Sequence, residues 1–158
     1  MTDARFEDAN EAPLRLTAET ADDLQIISAL LQDAVFPANE MTWDRTRRRL
    51  AILLNRFRWE DRIAAEAAGR AYERVQTVLV ISDVLNVASQ GVQRGDADTV
   101  LSLLDITFTD AGDGAGEVLL TLAGDGAIRA SVECLDLTLR DVTRPYVAPS
   151  GKMPSHPD

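Results

Sequence analysis

The chain has 158 residues and a mass of 17.2 kDa, with 46% hydrophobic and 27% charged residues, the balance of a folded globular protein. Those values exclude collagen-like, coiled-coil, disulfide-scaffold and intrinsically disordered classes. Sixteen Lys and Arg against 26 Asp and Glu leave a net charge of −10, which repels polyanions and anionic lipid and makes nucleic acid an unfavoured partner.

Cys134 is the one cysteine, so no intrachain disulfide forms. The longest apolar run, residues 50–54, is far shorter than the roughly 18 residues of a membrane span. Residues 1–8 are acidic and carry no basic, apolar leader, so a cytoplasmic protein without a membrane partner is expected. Residues 1–12 and 147–158 are polar, the latter with Pro149, Pro154 and Pro157, and read as disordered tails. Between them lies one globular body, 13–146.

Residues 14–18 alternate apolar and polar side chains, the pattern of a short strand. A helix over about 20–33 follows, capped by Thr20 with Asp22 and Asp23 in its first turn. Leu24, Ile27, Leu31 and Ala34 form its apolar stripe, which Ile26 and Leu30 widen. Pro37 ends the region beyond it.

Residues 41–59 admit two readings. As a helix, Leu50, Leu53, Leu54 and Phe57 share a face; as a hairpin, Trp43 leads into a turn and a long strand returns. Residues 60–70 are alanine-rich and read as a short helix or a loop. From Tyr72 the pattern turns β through Val75 and residues 77–81, then resumes at Val84 after a bulge or turn near Asp83 and runs to Gly91. A break is expected at 96–98.

The last third reads as an antiparallel meander: a strand at 101–109, a loop at 110–116, a strand at 117–122, a turn at 124–126 and a return at 127–139. The apolar phase of that return flips between Cys134 and Leu135, predicting a bulge or a change of buried face, and Cys134 is expected to be a buried thiol. Residues 21–35 faintly echo residues 97–108, which leaves a duplicated unit as a minority alternative to chance.

One charge feature stands out. Residues 45–74 hold nine arginines and four acids, +5, leaving −15 for the rest of the chain. Guanidinium groups grip carboxylates and phosphates bidentately, so Arg47, Arg49, Arg56 and Arg58 are the candidate residues for binding an anion or an acidic partner. Strand alternation would set Arg56 and Arg58 together on a face opposite Asn55 and Phe57. The competing reading, arginines of a solvated face paired with the surplus carboxylates, is the commoner fate of a surface charge run.

Other chemistries find little. The glycine-rich segment 112–116 is followed by a strand instead of the helix N-terminus that a phosphate loop needs. Asp110, Asp113 and Glu117 miss the calcium-loop spacing, and the Arg94-Gly95-Asp96 tripeptide is read as coincidence. His156 is the sole histidine and lies in a proline-flanked tail, so no Ser-His or Cys-His pair is assigned, and neither a metal nor a cofactor is expected. Acid–base work by carboxylates stays open, with no pair singled out.

The segments LNRFRW (54–59), LQDAV (31–35), VASQG (87–91) and VECLD (132–136) resemble an uncharacterised alphaproteobacterial domain-of-unknown-function family, number 2948. The resemblance implies a small bacterial cytoplasmic protein, favours the hairpin over 41–59 and implies no activity. The expected fold is α+β: mostly antiparallel sheet, meander and hairpins, with one amphipathic N-terminal helix packed on a face. The expected function is a non-catalytic binding or interaction module whose Arg-rich face takes an acidic protein partner or a phosphorylated metabolite. The alternative is a small-molecule enzyme using carboxylates and Arg on such a substrate.

Overall fold

The computed structural model describes residues 13–92, 98–148 and 153–154. The tails expected at 1–12 and over most of 147–158, the break at 96–98 in large part, and Arg94-Gly95-Asp96 lie outside them. The chain forms β1 (Arg15–Ala18), α1 (Ala21–Leu30), β2 (Val35–Pro37), β3 (Met41–Asp44), β4 (Arg49–Phe57), α2 (Arg62–Ala68), β5 (Glu73–Ile81), β6 (Val84–Gln90), β7 (Val100–Gly112), β8 (Ala115–Leu122), β9 (Ala127–Val132), β10 (Leu137–Asp141) and β11 (Tyr146–Val147). It is an antiparallel α+β fold, as its strand-rich pattern predicts.

The strands join in the order β1-β10-β5-β4-β2-β7-β8-β9-β6, with β3 paired to β4 and β11 to β5. The inner residues of β4, β5 and β10 on one side, and of β7, β8 and β9 on the other, pack with Leu24 and Ile27 of α1 into one hydrophobic cluster. Strand β2 links the two halves by pairing Val35 with Asn55 and Ser102, and Phe36 with Leu101. It is only three residues long and escaped the sequence pattern for that reason; Pro37, expected to end the region beyond the helix, is its last residue.

Residues 41–57 are a hairpin, with Met41 opposite Ile52 and Asp44 opposite Arg49. Thr20 caps α1 by accepting from the Asp23 amide at 3.1 Å. The buried stripe of α1 is narrower than expected, because Ile26 points to solvent while Ser28 accepts from the Ile106 amide at 2.9 Å. That amide lies beside a register shift in β7, where the ladder would leave it unpaired. The loop at 110–116 contracts to a two-residue turn, since Asp113 and Gly114 both take positive φ (54° and 83°), the conformation that matches hairpin twist. Residues 21–30 are helix whereas their echo after residue 100 is strand, so the two segments do not build a repeated unit.

The phase flip near Cys134 is a corner of the sheet. Strand β9 ends at Val132 beside β8 and β6, and β10 starts at Leu137 beside β5 and β1. The chain crosses over between them alongside the β5–β6 crossing, with Ser82 N bonded to Asp136 O and Glu133 N to Asp83 O, both at 2.9 Å. Arg48 closes the corner through Glu133 at 2.8 Å. The return at 127–139 is therefore two strands, and the outside of its bend carries Cys134.

Cys134 is exposed, contrary to the buried thiol its apolar neighbours suggest. Its Sγ lies 3.1 Å from the Asp83 carboxylate, whose hydrogen bond, with some burial and further acid charge, raises the thiol pKa above 9.0. The native protein should label with a thiol reagent without unfolding, slowly at neutral pH and faster as pH climbs past 9.0, because the thiolate is the nucleophile. Asp83→Asn should speed labelling at neutral pH, which a stopped-flow disulfide-exchange assay reads directly.

Candidate anion-binding face

The arginines of β4 divide between two environments. Alternation along β4 puts Leu50, Ile52, Leu54 and Arg56 on the inner face, so Arg56 continues an apolar row and is fully buried. A buried guanidinium requires compensation. Glu60, one turn beyond the strand, supplies a two-point pair at 2.9 and 2.8 Å. From β10, Asp141 accepts from Arg56 Nε at 3.2 Å and Nη2 at 3.0 Å, and from the Thr77 hydroxyl at 2.8 Å. The Leu14 amide also donates to Asp141, at 3.0 Å. Burial opposes the Arg56 charge, but its bonds and attraction to Glu60 and Asp141 outweigh that and raise its pKa above the usual arginine value.

Arg58 lies past the end of β4 and is also buried, 2.6 Å from Glu73 and 3.7 Å from Asp61. Asp61 is gripped from its other side by both terminal nitrogens of Arg70, at 2.7 and 2.8 Å. Those bonds, against some burial, hold the Asp61 carboxyl below its ordinary 3.8. The network seats α2 against β5.

Arg56 and Arg58 therefore do not form the shared outward face expected of them. Both bind anions, but the anions are carboxylates of this chain, because the inner phase of β4 runs through Arg56 and the chain turns inward after Phe57. Arg47 stays at the exposed hairpin turn, 3.9 Å from Asp44. Arg49 alone among the four lies on the outer face of the sheet.

There it meets two arginines that the local sequence did not single out. Arg15 of β1 stands directly opposite Arg140 of β10. Thr17 and Thr138 are likewise opposite each other and on the same outer face. With Arg49 and Ser82 these residues surround a hollow of about 310 Å³ floored by the half-buried Val78 and Val80. No acid lines it, and among the described residues none of Arg15, Arg49 or Arg140 has an ion-pair partner. Like charges directly opposite on paired strands repel, so this juxtaposition costs stability unless an anion bridges it. The one signal in sequence was the alternation in 15–18 and 137–140, which sets each Arg in phase with a Thr.

Farther along the outer face, Arg74 is half-buried and bonded to the Asn55 side chain and carbonyl, while Asn55 donates to Tyr146 at 2.6 Å. Desolvation lowers the Arg74 pKa despite the attraction of Tyr146 and Asp33. A second hollow, about 570 Å³, carries the opposite charge: Glu19, Asp110 and Asp136 line it with Cys134.

Fold and site together define a small antiparallel α+β protein that neutralises its inner arginines and sets Arg15, Arg49 and Arg140 on an outer face without an ion-pair partner among the described residues. Residues 14–156 match the model of a family described as protein of unknown function (DUF2948), and the chain belongs to that family. No curated protein and no solved structure matches it. Among the described residues no helix is long and apolar enough to cross a membrane.

Replacing Arg56 by Met should cost about 3–5 kcal/mol of unfolding free energy in urea, since it strands Asp141 and Glu60 without their cation. A loss below 1 kcal/mol would mean that the network contributes little net stability. The Asp61–Arg70 pair predicts a pH dependence: because the folded pKa is depressed, its stabilisation is complete well above 3.8 and lost as pH falls through the lower folded value. The stability gap between the native chain and Arg70→Ala should accordingly shrink in acid below pH 3.8.

Proposed function

We propose that this protein is a non-catalytic binding module of the bacterial cytoplasm that recognises an anionic group through the outer sheet face at Arg15, Arg49 and Arg140. The observation that carries the reading is the Arg15–Arg140 cross-strand pair, which has no ion-pair partner among the described residues and rims a hollow lined by no acid, in a chain with a net charge of −10. Carboxylates are in large surplus here, and two guanidinium groups set directly opposite each other repel, so an anion from outside that bridges them would be favoured at this place. The hydroxyls of Thr17, Thr138 and Ser82 add donors for a phosphoryl or carboxylate oxygen, and Val78 and Val80 suit an apolar neighbouring part of the ligand. A phosphorylated metabolite and an acidic segment of a protein partner share this chemistry. A long nucleic acid would meet the acidic remainder of the surface.

The reading keeps the expected Arg-rich face but moves it from Arg56 and Arg58 to Arg49 and its two distant neighbours. Amide chemical shifts followed during titration with pyrophosphate, and separately with an oligoglutamate peptide, at low salt test it. Shifts should cluster on residues 15–17, 49, 78–82 and 138–140 and weaken as salt rises. The triple variant Arg15→Gln, Arg49→Gln, Arg140→Gln should keep its circular dichroism, since all three side chains are exposed, and lose at least about tenfold in affinity. Shifts elsewhere, or unchanged affinity in the folded variant, sink the proposal.

A further inference from the structure

The two ends of the sheet are built differently. β1, at one end, is four residues long, follows Pro13 and carries Arg15, features that blunt an edge against pairing. β6, at the other end, has seven residues, Val-Leu-Asn-Val-Ala-Ser-Gln, without a charge or a proline. Among the described residues it pairs with β9 alone, and its other side has one backbone bond, from Val84 N to Arg48 O at its first residue. Leu85 is 50% exposed, and residues 86 and 88–90 are exposed too. Behind the strand, Arg129 of β9 stands opposite Ala88 and is neutralised by Glu117 at 2.8 Å. An exposed strand of this length and neutrality is an open template for another strand.

We propose that the occupant is a second copy of this chain, the two β6 strands pairing antiparallel across a twofold axis into one continuous sheet. Charge argues for the copy. Each molecule carries −10 and repels its twin, and β6 is a strand without a charge of its own, backed by an Arg129–Glu117 pair that cancels. Centred on Ala88, antiparallel pairing sets Asn86 of each copy opposite Gln90 of the other, two carboxamides that donate and accept to one another. The rest is main-chain bonding, which this sequence leaves unobstructed.

Sedimentation equilibrium on the full chain, from low micromolar to submillimolar, tests the inference. The mass should rise with concentration toward that of two chains, and added salt should strengthen the dimer by screening the general repulsion. Docking of the basic outer face onto the acidic hollow of a neighbour would instead weaken with salt, and that outcome overturns the proposal. Ala88→Lys and Ala88→Glu each oppose like charges at the axis and should weaken the dimer by about tenfold or more with unchanged circular dichroism. An equimolar mixture of the two should recover a mixed dimer. Either variant serves if the other folds poorly. A native chain that stays monomeric at every concentration and salt, or charge variants that dimerise like the native chain, overturns it. The charge variants at Ala88 leave the anion-binding face untouched, so this test and that one fail separately.

Discussion

A guanidinium placed inside a hydrophobic core must be neutralised on the spot, and the position of Arg56 on the inner row of β4 imposes that demand on this fold. Asp141 answers it from β10, with Thr77 of β5 accepting at 3.1 Å between them and Glu60 closing the outer side. Because Asp141 also takes the Leu14 amide, one carboxylate ties together the entry to β1 and strands β4, β5 and β10. Replacing such a network by apolar residues need not destabilise a protein, but removing one member leaves the others charged and dry. Its effect here is to specify register: a shift of β10 by one residue would turn Asp141 outward and leave Arg56 alone.

The same requirement sorts the remaining charge. Arginines that fall on inner phases or behind Phe57, namely Arg56 and Arg58, are met by Asp61, Glu60, Glu73 and Asp141. Those that fall on the outer phases of β1, β4 and β10 face water, where solvation removes any obligation to pair. Four carboxylates thus serve the buried arginines, while Arg15 and Arg140 meet on the outer phases of β1 and β10, so that stretch of the outer face is positive although the chain as a whole is negative. Strand β2 and the corner at residues 82–84 and 133–136 complete the frame by carrying the chain between the two halves of the sheet around one core.

Much of this was legible in the residues themselves. Local rules govern a capped helix and a strand rich in β-branched side chains, so Thr20 and residues 75–81 announced their roles, whereas the loop expected at 110–116 tightens to a turn at Asp113 and Gly114. Composition likewise determined that the protein is acidic and can form no internal disulfide. What tertiary structure alone decided is which phase of each strand became the inside. Alternation shows that Arg56 and Asn55 face opposite ways but not which of them meets the core, and the structure turns Arg56 inward where the pattern suggests an outward face. Cys134 went outward because two strands turn a corner there, a fact of sheet topology that its apolar neighbours cannot report. Arg15 and Arg140 became neighbours because the first and tenth strands pair, and no local window contains both ends of the chain.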